Sequence, residues 1–287
     1  MVYKLLALNI DGTLLQDNGR INKSTKEAIE FAQKKDVKVI LSTSRNFQSA
    51  QRVAKQLKID SQIVSHQGAF IAKELDKPVF AKRIHEKITE ELVSFLESSF
   101  SCHIKIVHER FAIGNKMKLP ENLVAKVMFQ RTNRFSYSEQ YVDSLSEELL
   151  EHPATSPKIE VYFEHKNDEN DAIKAIKEMY NEVDCIEVDL LRMDIVPASI
   201  SKLSGVQYIC GQHGIKREEV VAIGSGMDDL TLIEWAGLGV AMGNAPSEVK
   251  QAADWLTRTN EDDGLAYMVK EHFRKQYKLA FLRRMLK

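Results

Sequence analysis

The chain has 287 residues, 44% of them hydrophobic and 28% charged, with a formal net charge of −1. That length supports a sizeable core and two domains, and the balanced charge gives no global basic field to suggest nucleic acid. Cys102, Cys185 and Cys210 are far apart, which argues against a disulfide framework or a zinc site and suits a reducing compartment. No apolar run approaches the ~18 residues of a membrane span. The opening MVYKLLALNIDG carries an acidic residue too early for a signal peptide and reads as a first strand. A cytoplasmic protein is expected.

In chain order, YKLLAL followed by Asp11-Gly12-Thr13 has the pattern of a buried parallel strand ending in a tight turn. Ser24 and Glu27 read as a capping box opening a helix to about residue 35. VKVILST is a second strand. RNFQSAQRVAKQL is a second helix, with Phe47, Ala50, Val53, Ala54 and Leu57 on one face. QIVSHQGAFIA is a third strand, interrupted at Gly68. The β-α-β-α-β order implies an α/β fold with a parallel, doubly wound sheet.

Residues 83–188 read differently. Strand patterns (CHIKIVHE, KIEVYFEH) and helix patterns (EKITEELVSFLESSF, ENDAIKAIKEMYNEV) suggest a separate α+β domain. Residues 137–150 read as a helix. The α/β alternation returns at LRMDIVP. A helix from about 201 closes at Gly214, a left-handed cap. EVVAIGSGMDD is strand, loop and helix start; GLGVAMGN is a further strand; the last helix runs from about 263 to the end. The expected organisation is a core of 1–82 and 189–287, with 83–188 inserted.

Four stretches fall where strands should end, the place where open α/β sheets put their chemistry. They are Asn9-Ile10-Asp11-Gly12-Thr13, Ser42-Thr43-Ser44-Arg45, Lys202, and Gly224-Ser225-Gly226-Met227-Asp228-Asp229. A phosphate dianion needs donors and positive charge, which N–H groups around Gly12, the Thr43 hydroxyl and the Lys202 ammonium can supply. Asp228, Asp229 and a carbonyl near Asp11 can supply oxygens to Mg²⁺. Singly, each stretch has an ordinary structural explanation: a turn, a helix cap or a solvated lysine. His103, His108 and His165 match no metal spacing and read as structural or surface residues.

The chain resembles the haloacid dehalogenase-like phosphohydrolases, in particular the Cof-type subgroup with a type IIB cap. The resemblance rests on IDGTLL, STSR, SHQGA, VPASISK, IGSGMDDLTLIEWAGLGVAMGNA and VKQAADWLTRTNEDDGLA. It implies a Rossmann-like core, an inserted cap that covers the site and selects the substrate, and Mg²⁺-dependent hydrolysis of small phosphorylated metabolites. In that family an aspartate ending the first strand is the nucleophile. By the resemblance, Asn9 stands at the nucleophile position, Asp11 at the acid/base, and Lys202 at the catalytic lysine. Gly12, Thr43, Ser44 and Lys202 contact phosphate, and the metal positions are Asn9, Asp11, Ser225, Asp228 and Asp229. Asn9 and Ser225 replace aspartates, Asp228 replaces an asparagine, Gln67 an asparagine, and Ser44 a glycine.

An amide is a poor nucleophile. The expectation is a phosphatase relative that binds small phosphorylated metabolites with weak or no hydrolysis and has weakened Mg²⁺ affinity. Two alternatives compete with it. One is a working phosphatase in which Asp11 or Asp228 activates water. The other is an interaction protein acting through its basic C-terminal helix. There Phe273, Tyr277 and Phe281 recur every four residues beside Arg274, Lys275, Lys278, Arg283, Arg284 and Lys287.

Overall fold

The computed structural model describes residues 2–116 and 137–277. The chain divides into two compact units: residues 1–80 with 200–287, and residues 81–199.

The first unit is built on β1 (Leu5–Leu8), β2 (Lys38–Leu41), β12 (Val220–Gly224), β13 (Leu238–Ala241) and β14 (Trp255–Leu256). They form one sheet in the order β14-β13-β12-β1-β2, parallel throughout. Strand alternation sends Leu6, Leu8, Val39, Leu41, Val221 and Ile223 to one face. They meet α1 (Lys23–Lys34), α2 (Phe47–Gln56) and the C-terminal helix Gly264–Phe273. Leu5, Ala7, Ile40, Val220 and Ala222 go to the other face, against helices Lys202–His213 and Leu230–Trp235. Both faces are covered, so the strands are apolar throughout. Each fully buried leucine contributes about 1.5–3 kcal/mol.

Two expectations for this unit are corrected. The segment after α2 adds no ladder strand to the parallel sheet. It gives β3 (Ile63–Ser65), a 3-10 turn at His66–Gly68, β4 (Phe70–Glu74) and β5 (Lys77–Ala81), a separate three-stranded sheet. β3 meets the end of β2 through the single bridge Ser42–Val64. The Ser24–Glu27 capping box does not form. Helix α1 starts at Lys23 with Asn22 as N-cap and no side-chain cap bond; Ser24 falls inside its first turn, and its hydroxyl donates to Asp263. Gly214 does close its helix in the left-handed region.

The second unit holds a six-stranded sheet of order β10-β11-β9-β6-β7-β8. Its strands are β6 (Cys102–Val107), β7 (Phe111–Asn115), β8 (Ser138–Val142), β9 (Lys158–Phe163), β10 (Val183–Asp189) and β11 (Arg192–Pro197). Helices α3 (Glu86–Ser99), α4 (Leu145–Glu151) and α5 (Lys166–Met179) cover one face with Leu92, Leu96, Leu149 and Ile176. On alternate strand positions Lys158 is buried against Glu160 and Asp194. The helix expected at 137–150 is strand β8 followed by α4. LRMDIVP is β11, antiparallel to β10 and β9. This unit therefore ends at Ser199, not 188. His103 pairs with Asn115, His108 with Glu109, and His165 caps α5 through its backbone alone.

The remaining helices belong to the first unit and continue the numbering: α6 (Lys202–His213), α7 (Leu230–Trp235), α8 (Ser247–Ala252) and α9 (Gly264–Phe273). Helix α9 ends at Phe273, which is fully buried in the core. Lys278, Phe281, Arg283, Arg284 and Lys287, part of the basic tail reading, lie outside the described residues. Among the described residues no helix is long and apolar enough to cross a membrane.

Candidate active site

Three neighbouring strands, β12, β1 and β2, deliver the site. Pairing continues one residue past β2, β1 and β13: Ser42 N–H donates to the Leu8 carbonyl, Asn9 N–H to Ile223, and Met242 N–H to Gly224. Positions 9, 43 and 225 are thereby drawn to one end of the sheet.

Asn9 is 7% exposed. Its Oδ1 accepts from Ile10 N–H at 2.7 Å. Its Nδ2 donates to Asp229 Oδ2 at 2.9 Å and to the Asp11 carbonyl at 3.2 Å. This fixes which way the amide faces. Turned over, it would set an NH₂ against the Ile10 N–H and an oxygen against a carboxylate.

Asp229 is the hub. Its Oδ2 also accepts from the N–H groups of Ser225 (2.8 Å) and Gly226 (3.0 Å), and its Oδ1 accepts from Lys202 Nζ at 2.7 Å. Lys202, only 1% exposed, also meets Asp228 Oδ2 at 2.9 Å. Burial pulls the lysine pKa down, but the two carboxylates outweigh it, and the net shift is well upward. Burial lifts Asp228 above the ordinary aspartate value; Lys202 opposes that lift and Asp229 adds to it.

Close backbone approaches place these groups. Ser201 caps α6 by accepting from Ser204 N–H, which sets Lys202 in the first turn. The turn at Gly68 lies directly on that cap: a Cβ there would stand 2.2 Å from the Ser201 carbonyl oxygen. Only glycine fits, with φ at 104°. The neighbouring Gln67, itself at φ 58°, donates from Nε2 to Asp228 Oδ2 at 2.9 Å. Gly12 is likewise left-handed, and a Cβ on it would meet Ser225 Oγ at 2.7 Å. Asn244 Nδ2 holds the Gly12 carbonyl at 2.9 Å.

Asp11 behaves differently from the other candidates. Its carbonyl joins the cluster, accepting from Ser225 Oγ at 3.0 Å as well as from Asn9. Its carboxylate turns to Arg45 in a bidentate pair, Nε to Oδ2 at 2.7 Å and Nη2 to Oδ1 at 2.5 Å. Thr43 is buried, and its Oγ1 accepts from Arg45 N–H at 3.2 Å. Ser44 is half-buried beside it. The Asp11 carboxylate is therefore tied to Arg45, while Asn9, Lys202, Ser225, Asp228 and Asp229 form one linked group. The Arg45 pairing, the Gln67 contact and the Asn244 brace were not foreseen. The SHQGA and MGNA stretches were the available signals for the last two.

The donor set can be tested against Mg²⁺. A hard divalent ion takes carboxylate and carbonyl oxygens with free lone pairs. The Asp11 carbonyl instead receives two hydrogens, from Asn9 and Ser225, and both Asp229 oxygens receive N–H donors. Asp228 Oδ2 is held by Lys202 and Gln67. Among the described residues no group of three or more His, Cys, Asp or Glu side chains is placed to hold a metal. The arrangement does not fit Mg²⁺. The charge of Asp228 and Asp229 is met instead by the Lys202 ammonium.

The comparisons agree with this architecture. The stress response protein YhaX of Bacillus subtilis (strain 168) is 46% identical over 282 residues, covering 98% of this chain and 97% of that protein. The 5-amino-6-(5-phospho-D-ribitylamino)uracil phosphatase YitU of the same organism is 30% identical, over 94% of this chain and 97% of its own. The solved sugar phosphatase BT4131, of haloacid dehalogenase subclass IIB, superposes with a TM-score of 0.78 at 23% identity, covering 94% of this chain and 99% of that one. The model of the haloacid dehalogenase-like hydrolases matches residues 6–269. This chain belongs to that family.

Proposed function

We propose that this family member binds small phosphorylated metabolites and hydrolyses them weakly or not at all. The observation that carries the reading is the Asn9 amide at the end of β1. It has no full negative charge, and its one oxygen is engaged by Ile10 N–H. Attack on phosphorus needs an electron-rich oxygen there. Uncatalysed phosphate-monoester hydrolysis is so slow that enzymes accelerate it up to ~10²¹-fold. Losing the nucleophile therefore removes most of the advantage, while positioning and electrostatics leave a residue of rate. Thr43, Lys202 and the Gly12 turn retain the donors an anion needs. The names of YitU and BT4131 point to small phosphorylated compounds as the ligand class. The unpaired Cys102, Cys185 and Cys210 suit the cytoplasm.

One observation favours a working phosphatase: burial raises Asp228, which suits a carboxyl that exchanges protons with water. Calorimetric titration with a panel of sugar phosphates and nucleotides, run beside a phosphate-release assay, separates the readings. Saturable binding without sustained release is expected. Brisk release by the pure protein overturns the proposal, and absence of binding across the panel overturns it equally.

A further inference from the structure

We propose that the site takes its anion without a divalent cation, the Asn9 amide and the Ser225 hydroxyl standing in for the ion. The proposal rests on the anion-binding reading above and concerns how that binding is balanced electrically.

The argument begins from charge. By the family resemblance, positions 9 and 225 would be carboxylates. Asn and Ser there remove two negative charges, while Asp228, where the family carries asparagine, returns one, so the site holds one carboxylate fewer. The site thus offers a cation less negative charge, and Lys202, set between Asp228 and Asp229, meets part of what remains.

Geometry then supplies the second half. A cation in such a site holds oxygens together that would repel each other. Here hydrogens hold them. The Asn9 Nδ2 bridges the Asp11 carbonyl and Asp229 Oδ2. The Ser225 hydroxyl donates to the same Asp11 carbonyl and accepts from Thr13 Oγ1 at 3.2 Å. Lys202 neutralises the remaining oxygen of Asp229 and reaches Asp228. The amide cannot turn its oxygen toward an incoming ion without losing Ile10 N–H and facing a carboxylate. A divalent ion would have to displace hydrogens already in place, and it would gain no charged ligand at positions 9 or 225.

Full-length protein decides the matter in two measurements. Mn²⁺ titration, followed through the resonance of the free aquo ion, reads metal occupancy directly. Wild type is expected to take up no ion that Mg²⁺ displaces, whereas Asn9→Asp/Ser225→Asp is expected to take up one. Inorganic phosphate titrated by calorimetry in EDTA and in Mg²⁺ is expected to give the same affinity. A Mg²⁺-displaceable Mn²⁺ site on wild type overturns the proposal, as does phosphate affinity rising about tenfold or more with Mg²⁺. A folded double variant that takes no ion also overturns it, since the two residues would then not be what excludes the metal. If the double variant fails to fold in EDTA, recovery of its circular dichroism on adding Mg²⁺ is the supporting result, and no recovery is the opposing one. Phosphate that binds under neither condition removes the anion-binding reading instead, and the Mn²⁺ titration still decides the metal question.

Discussion

Asn9 and Asp229 face each other at 2.9 Å, an amide N–H donated to a carboxylate across the ends of β1 and β12. Replacing that N–H with oxygen reverses the interaction. Asn9→Asp sets two carboxylates at hydrogen-bonding distance, where both cannot be comfortably ionised. It also loses a hydrogen bond to a charged group, worth about 1.5–3 kcal/mol. In EDTA at neutral pH the variant should be less stable than wild type by at least that much, and melt at a lower temperature. The gap should narrow in acid, because one raised carboxyl gains its proton there and loses it as pH rises. Thermal unfolding from acid to neutral pH checks both the size and the sign.

Gly68 and Ser201 tie the 3-10 turn to the cap of α6. Gly68→Ala pushes a methyl group into a carbonyl oxygen 2.2 Å away and strains a left-handed backbone. Overpacking of this kind costs about 1–3 kcal/mol. The variant should lose that much stability in urea. It should also lose phosphate affinity, because Lys202 is the next residue along. Restored stability with unrestored affinity in a suppressor background would show that the turn positions the lysine.

The strand ends were legible because they follow uninterrupted apolar runs. VVAIG and LLAL have nothing polar to present to water, so they belong in a sheet covered on both faces. LRMDIVP was misassigned for want of the same test. It opens in alternation, Arg192 and Asp194 interleaved with Met193 and Ile195, and alternation marks a sheet whose two faces differ, such as that of the second unit. Ser24 had the spacing for a capping box, but the helix begins before it, at Lys23, and its hydroxyl turns to Asp263, distant in sequence. The partner of Asp11 was illegible for a similar reason. Arg45 was visible in the STSR stretch, yet nothing local says that its fork would turn back onto a carboxylate at the end of another strand.

That Arg45–Asp11 pair carries its own expectation. Its side chains are 31% and 55% exposed, so solvent screens it, and pairs of this kind are worth about 0–1 kcal/mol. Asp11→Asn should therefore barely move the melting temperature. It should tighten phosphate binding several-fold, since a repelling carboxylate is lost and a bidentate donor is released. In a protein that relied on Asp11 as acid and base, the same change would abolish turnover. Calorimetry and a phosphate-release assay on one preparation distinguish the two.

The C-terminal helix is expected to act in folding. Phe273 is fully buried in the main core and packs against Tyr3 with ring centroids 5.7 Å apart. Gln276 then clamps the Tyr3 backbone from both sides, accepting its N–H and donating to its carbonyl. Phe273→Ala should cost about 3–5 kcal/mol. Tyr277, 66% exposed, should tolerate alanine without loss. Chemical denaturation of both variants provides the comparison, and a Phe273→Ala chain as stable as wild type would leave the helix free for a partner.

Lys202 has the clearest pH signature. Removing one partner from a buried charge cluster costs about 3–5 kcal/mol, so Lys202→Met should be strongly destabilised at neutral pH. The sign of its pH dependence follows from two groups. In wild type the folded-state lysine pKa is raised above the ordinary 10.5, so its contribution is fully present below that value and fades only as pH climbs through the higher folded value. Asp228 is also raised, from 3.8, and a raised carboxyl favours folding below its unfolded pKa and loses that advantage as pH rises through the folded one. Without the ammonium that opposes it, Asp228 rises further in the variant. The stability gap between Lys202→Met and wild type should thus be smallest in acid, widen as pH climbs above 3.8, and stay wide until strongly alkaline solution deprotonates wild-type Lys202. Urea unfolding of both proteins across that range would show it. A gap independent of pH would mean that the lysine serves by packing alone.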